Sequence, residues 1–144
     1  MPDYNVPVPR YWRNIPTYYR LTVSRCRSCG RVYYPPRARC VCGSRDIEQV
    51  SLLDACRKFR LAEFTVLHSV SVDFEKQKPL IFGLVKCENP EVSLVSPITD
   101  VLNVGDLQSG IELEPVFRVV KRDGSYGIVC YGTKFRIATR EVKV

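Results

Sequence analysis

Cys26-Arg27-Ser28-Cys29-Gly30 and Cys40-Val41-Cys42-Gly43, with ten residues between Cys29 and Cys40, are the segments that decide how this chain folds. Thiols paired at short spacing are the ligand pattern of a tetrahedral zinc site. The turn inside each pair lets backbone N–H groups point at the sulfurs. The glycine after it takes a tight, positive-φ geometry that a side chain resists. The pattern predicts a zinc ribbon over residues 23–48, with Cys26, Cys29, Cys40 and Cys42 as ligands. A knuckle of that size buries no core of its own, so the metal does most of the folding work there.

On either side of the ribbon the chain changes character. Residues 1–22 hold Pro2, Pro7, Pro9 and Pro16 among Tyr11, Trp12, Tyr18 and Tyr19. The prolines argue against a long helix in the first ten residues, and Arg10–Leu21 has room for one or two short helices. The aromatic side chains are too large and apolar to stay unpartnered, so they dock on the body of the protein or on another molecule.

Residues 49–144 read as strands. Phe59 to His68 alternates, with Ala62, Phe64 and Val66 on one face. Leu80 to Cys87 is a nearly continuous apolar run, as in a central strand, and Glu91 to Ile98 is a shorter strand. Thr99 to Gly110 is rich in turn residues and has room for one helical turn. Ile111, Leu113, Phe117 and Val119 share a face, and Pro115 among them predicts an edge or a bulge. Asp123-Gly124 predicts a hairpin corner before a last strand over Tyr126–Ile137. Five strands with a long connection between the third and fourth predict a mainly β protein whose C-terminal part is a five-stranded OB-fold barrel. An SH3-like barrel or a sandwich fragment fits the same pattern.

Net charge is +7 and lopsided. Residues 1–50 carry nine Arg and three acidic groups, whereas residues 51–144 carry thirteen basic and twelve acidic groups. Arginine favours bidentate contact with phosphate or carboxylate, so the first third points to an anionic partner or to a solvated cationic surface. No run reaches the roughly 20 apolar residues of a membrane helix, and the N-terminal residues lack a signal-peptide core. These features predict a cytoplasmic protein. Seven cysteines, an odd number, fit reduced thiols plus a metal site better than a disulfide framework. Cys87 and Cys130 read as small buried core residues.

The sequence also resembles a known family. Trp12-Arg13, Tyr19-Arg20-Leu21, the run Cys26-x-x-Cys29-Gly30-x-Val32-Tyr33-Tyr34-Pro35-Pro36-Arg37, Cys40-x-Cys42-Gly43-Ser44, Phe64-Thr65-Val66-Leu67-His68 and Gly127 through Arg136 carry the likeness. They resemble the "domain of unknown function 35" proteins, acyl-CoA-associated OB-fold proteins with an N-terminal rubredoxin-like zinc ribbon. The resemblance covers nearly the whole chain. It implies an N-terminal helical segment, a zinc ribbon, an OB-fold and association with thiolase-like enzymes. In archaeal relatives the protein bridges an acetoacetyl-CoA thiolase and a hydroxymethylglutaryl-CoA synthase and helps form a CoA channel. The second cysteine pair departs from the family's usual Cys-Pro-x-Cys-Gly by one residue, and Arg39 stands where the usual first ligand would. That shortening puts Cys40 in question as a ligand, with His68 or Cys56 as substitutes.

No catalytic constellation emerges. His68, the single histidine, reads as a structural residue at the end of a strand face. A zinc held by four thiolates has no open position for chemistry. Glu112 and Glu114 look like a solvated outer face. The expectation is a non-catalytic accessory subunit of a thiolase-type enzyme that helps bind CoA or acyl-CoA, with Arg37, Arg39 and His68 as contacts. The alternative is a zinc-ribbon and OB-fold protein that binds single-stranded nucleic acid. A weaker third reading is an acyltransferase working through Cys56, Cys87 or Cys130.

Overall fold

The computed structural model describes residues 8–122 and 124–139. Helix α1 spans Val8–Arg20, a single helix rather than two short ones. Pro9 is tolerated because it falls in the first turn, where its missing N–H has no intrahelical partner in any case. The helix continues through Pro16 and ends at Leu21, whose φ of 46° takes the backbone into the left-handed region. Two bonds fasten that end to the next module. The Ser51 hydroxyl donates to the Arg20 carbonyl at 3.1 Å, and the Leu52 N–H donates to the Leu21 carbonyl at 3.1 Å.

A three-stranded antiparallel sheet follows, in the order β2-β1-β3: β1 is Thr22–Cys26, β2 Val32–Tyr33 and β3 Ile47–Ser51. A single helical turn, α2 (Leu52–Ala55), leads into the barrel.

The barrel strands are β4 (Phe59–Leu67), β5 (Leu80–Glu88), β6 (Glu91–Ile98), β7 (Glu112–Arg122) and β8 (Val129–Ile137). They close in the order β4-β5-β6-β8-β7. β4 returns to β7 through Phe59↔Leu113, and the contact of β6 with β8 is parallel at Ile98↔Phe135. This closed five-stranded barrel has the OB-fold arrangement. Pro115 is accommodated because β4 pairs with β7 only near Leu113, leaving that side of β7 open at the proline. The bulge lies elsewhere, between Val119 and Lys121. The β6–β7 connection contains one 3₁₀ turn, Val104–Asp106. Another, Val72–Gln77, caps the barrel between β4 and β5. Asp123 of the expected hairpin corner lies outside the described residues, and its neighbour Gly124 has φ 62°.

The core is continuous from the ribbon sheet into the barrel. Val23 and Leu52 belong to the same cluster as Phe59, Leu61, Val85 and Phe135, all of them buried. Phe59 and Phe135 meet edge to face at 5.0 Å.

Two expectations are corrected. Cys56 and Cys87 are joined by a disulfide, with Cα atoms 6.2 Å apart, rather than standing as reduced thiols. The odd total misled, because four sulfurs belong to the ribbon and two of the remaining three pair. His68 is not on a buried strand face: β4 stops at Leu67, and His68 is exposed in the bend beyond it.

Candidate metal centre and partner face

The ribbon sheet brings two turns together. In the first, the Gly30 N–H donates to the Cys26 carbonyl at 2.9 Å, and Gly30 takes φ 74°. In the second, the Gly43 N–H donates to the Cys40 carbonyl at 3.0 Å, and Gly43 takes φ 89°. The second loop is one residue shorter, so it closes as a tight turn across Cys40–Gly43. The Cys40 N–H, donating to the Ser44 carbonyl at 3.0 Å, holds its start.

The four sulfurs of Cys26, Cys29, Cys40 and Cys42 all lie within 4.8 Å of one another. Cys26 and Cys42 are 3.7 Å apart, Cys29 and Cys40 3.3 Å. Tetrahedral zinc with Zn–S near 2.3 Å needs S···S of about 3.8 Å, so the donor set fits such an ion in size and chemistry. Cys40 therefore sits in the cluster despite the shortened pair. Neither substitute is there: Cys56 is in the disulfide, and His68 is not in the group.

The four thiols are not alike: Cys26 and Cys40 are held down, whereas Cys42 is pushed up and Cys29, facing the Cys40 sulfur, is pushed up to about 11. The Tyr33 hydroxyl, 3.2 Å from the sulfur of Cys40, and the Cys42 N–H hold that thiol down to about 6. The Cys29 N–H lowers the Cys26 thiol. Sequence reasoning missed Tyr33, which stood only as a strand residue before Pro35. An aromatic hydroxyl seven residues before a ligand is a signal only once β2 is paired with β1.

The other expected residues are scattered. The Arg37 guanidinium lies 5.2 Å over the Tyr33 ring, and its backbone N–H donates to the Ser24 hydroxyl at 2.9 Å. Arg39 is exposed beside the cluster, and His68 lies on the barrel. A cavity of about 550 Å³ opens at the seam of ribbon and barrel and is lined by Arg25 and Arg31 together with Asn89 and Glu91. Arg25 has no ion pair among the described residues.

Helix α1 presents a second surface. Val8, Tyr11, Trp12, Ile15, Tyr18 and Tyr19 recur at helical spacing and form one apolar stripe, yet no residue of this helix is buried. Trp12 is 75% exposed. The stripe borders Ile128 and Tyr131 of the barrel across an apolar groove of about 250 Å³. Tyr19 meets Phe117 in a tilted arrangement at 4.5 Å, and Phe117 stacks on Tyr131 at 5.6 Å.

A thiol-lined ribbon fused to a five-stranded OB barrel defines a small class of two-module proteins. A family model, "ChsH2, rubredoxin-like zinc ribbon domain", matches residues 14–48. A "DUF35 domain-containing scaffold protein" of Methanocaldococcus jannaschii is 34% identical over 131 residues, 90% of this chain and 89% of that protein. Proteins of the same description from Methanothermobacter thermautotrophicus and Pyrococcus furiosus are 32% and 34% identical over 130 residues, covering 90% of this chain and 96% and 91% of theirs. The chain belongs to the DUF35 family. The solved structure titled "Ltp2-ChsH2(DUF35) aldolase" shares the fold, with a TM-score of 0.65 and 20% identity over 96% of this chain and 100% of that one. No helix among the described residues is long and apolar enough to cross a membrane.

Proposed function

We propose that this protein is a non-catalytic accessory subunit that docks on a thiolase-type acyl-CoA enzyme and helps hold the CoA part of its substrate. The observation that carries the reading is the apolar stripe of α1. A 13-residue helix is marginal on its own and is normally held by burying such a stripe, which here stays open. Arg10, Arg13 and Arg20 flank the stripe and the helix has no acidic residue, so a partner with an apolar patch and an acidic rim fits it. The relatives' description as scaffold proteins supports the same role. The bridging of an acetoacetyl-CoA thiolase and a hydroxymethylglutaryl-CoA synthase is the specific form the family resemblance favours.

The ribbon holds zinc as a structural ion through Cys26, Cys29, Cys40 and Cys42. CoA presents phosphates, and the ribbon arginines supply guanidinium groups to meet them. Arg25 and Arg31 flank the seam cavity, with Arg39 beside the cluster. Arg37 is engaged over Tyr33, and His68 contributes only if the partner reaches the far bend of β4. Own-thiol catalysis is disfavoured: outside the ribbon and the disulfide only Cys130 remains, and it is buried.

The nucleic-acid reading is also disfavoured, because Tyr19 of the chain's own helix already covers the exposed aromatic Phe117, leaving it less open to a base.

Purification of the tagged chain from its native cells tests the reading. A thiolase-fold enzyme should co-purify in stoichiometric amount, and the isolated chain should not turn over acyl thioesters. Oligonucleotide binding that weakens steeply with salt, without any such partner, would overturn it.

A further inference from the structure

Lys134 in β8 is 7% exposed, and its ammonium makes one hydrogen bond, to the amide oxygen of Gln77 at 2.9 Å. Among the described residues no carboxylate lies within ion-pair distance of it. Gln77 is itself fixed, because its amide nitrogen donates to the Val120 carbonyl at 3.2 Å. An ammonium carries three N–H donors, so one amide oxygen leaves two of them over. Burial lowers the pKa of this lysine, and Asp100, beyond ion-pair distance, offsets that only in part.

Lys134 is one of the residues lining a pocket of about 330 Å³ at the end of the barrel where β5 begins and β6 ends. The other charges there are already matched. Asp100 is held by Arg118 at 3.1 Å, and Lys78 by Glu75 at 3.4 Å. What remains is a single positive charge, with Thr99 at the side and Ile98, Val101 and Leu102 along the wall.

We propose that this pocket binds a small oxyanion, a carboxylate or phosphoryl group carrying a short carbon skeleton, with Lys134 as the counter-charge. The residues lie on the barrel, apart from the ribbon cluster and from α1. The site therefore stands whether or not the accessory-subunit reading does.

Pulse labelling of the full metal-loaded chain with acetic anhydride, read by peptide mass spectrometry, tests this. Inorganic phosphate and butyrate are compared with chloride at matched ionic strength, with exposed Lys86 as internal reference. At an oxyanion concentration ten times its Kd, labelling of Lys134 should slow about 10-fold while that of Lys86 is unchanged. Protection by phosphate alone identifies a phosphoryl ligand, and protection by butyrate alone a carboxylate. Equal Lys134 labelling in all three salts overturns the proposal. So does a Lys134 that never labels while exposed lysines do, because the pocket then does not open onto the ammonium. Lys134→Gln should abolish the calorimetric binding of whichever ion protects. Should that variant fail to fold, the labelling of the unaltered chain still decides.

Discussion

The Tyr33 hydroxyl lies 3.2 Å from the sulfur of Cys40, and this contact helps keep the fourth thiol of a shortened cysteine pair in the cluster. A tighter turn offers fewer backbone N–H groups to the thiolate. The phenol, brought in from β2 by its pairing with β1, supplies the missing donor. Tyr33 is held in turn by Arg37 stacked on its ring.

Tyr33→Phe keeps the ring and removes only that donor. Partners that orient a metal ligand typically matter 10–100-fold in affinity. The expected outcome is a loss of about 10-fold in zinc affinity, measured by competition with a chromophoric chelator, with the fold retained. Cys40→Ser should weaken zinc further, since it removes a ligand rather than its support. Equal affinity in Tyr33→Phe and the unaltered chain would show that the hydroxyl does nothing for the site.

The same contact has a pH signature in the metal-free protein. Cys40 is lowered from 9.0 to about 6, by the Tyr33 hydroxyl first and the Cys42 N–H second. A depressed thiol favours the folded ribbon above its ordinary pKa, and that contribution is lost as pH falls through about 6. Thiolate absorbance should therefore show an early step near pH 6 that moves upward in Tyr33→Phe. A single thiol titration near the ordinary value would contradict the assignment.

Trp12 separates partner binding from folding. It is 75% exposed and packs no core, so Trp12→Ala should shift stability by no more than about 0.5 kcal/mol. An exposed tryptophan at the centre of an apolar stripe is a typical binding anchor, worth about 2 kcal/mol or roughly 30-fold in Kd. Calorimetry with the co-purified enzyme reads the second effect and thermal melting the first. Unchanged affinity would move the docking surface away from α1.

The Cys56–Cys87 link ties the linker after α2 to β5 and spans 31 residues. A loop of that length corresponds to about 3–4 kcal/mol in the chain-entropy account. Cys56→Ser with Cys87→Ser should lower the unfolding free energy by about that amount in a chemical melt, leaving the zinc stoichiometry unchanged. Two titratable thiols found at these positions in the unreduced protein would show the link absent.

The barrel was legible because most of its strands alternate with period two and end at turn residues, as from Glu91 to Ile98, whereas β4 changes parity at the bulge between Leu61 and Glu63. The ribbon was legible because a metal site fixes both residue type and spacing. What escaped depends on contacts between distant elements. Cys56 and Cys87 meet only once α2 and β5 are placed. His68 looked like a strand residue because alternation does not mark where β4 stops. Lys134 and Phe135 are adjacent and both buried, which breaks alternation at the capped end of the barrel. Position-by-position reading sends that lysine to solvent. Tyr33 and Lys134 both stand in motifs the sequence displays, but the role of each is set by a contact that only the fold makes, Tyr33 with Cys40 seven residues on and Lys134 with Gln77 from another element.

Gly83 tests the packing inside the barrel. A Cβ at this position of β5 would lie 2.6 Å from Cδ1 of Leu61 and 3.0 Å from Cδ1 of Ile98. Leu61 is fully buried and Ile98 nearly so, so neither side chain has free space to retreat into. Ile98 also carries a β6–β8 pairing, opposite Phe135, and pressure on it acts directly on barrel closure. Overpacking of this kind typically costs about 1–3 kcal/mol. Gly83→Val should accordingly lower the unfolding free energy by at least about 2 kcal/mol, with Gly83→Ala intermediate. Zinc content should stay intact, because the ribbon cysteines lie in a separate sheet. A Gly83→Val protein as stable as the original would mean that Leu61 and Ile98 can repack, and that glycine at this position is not what lets the strands close.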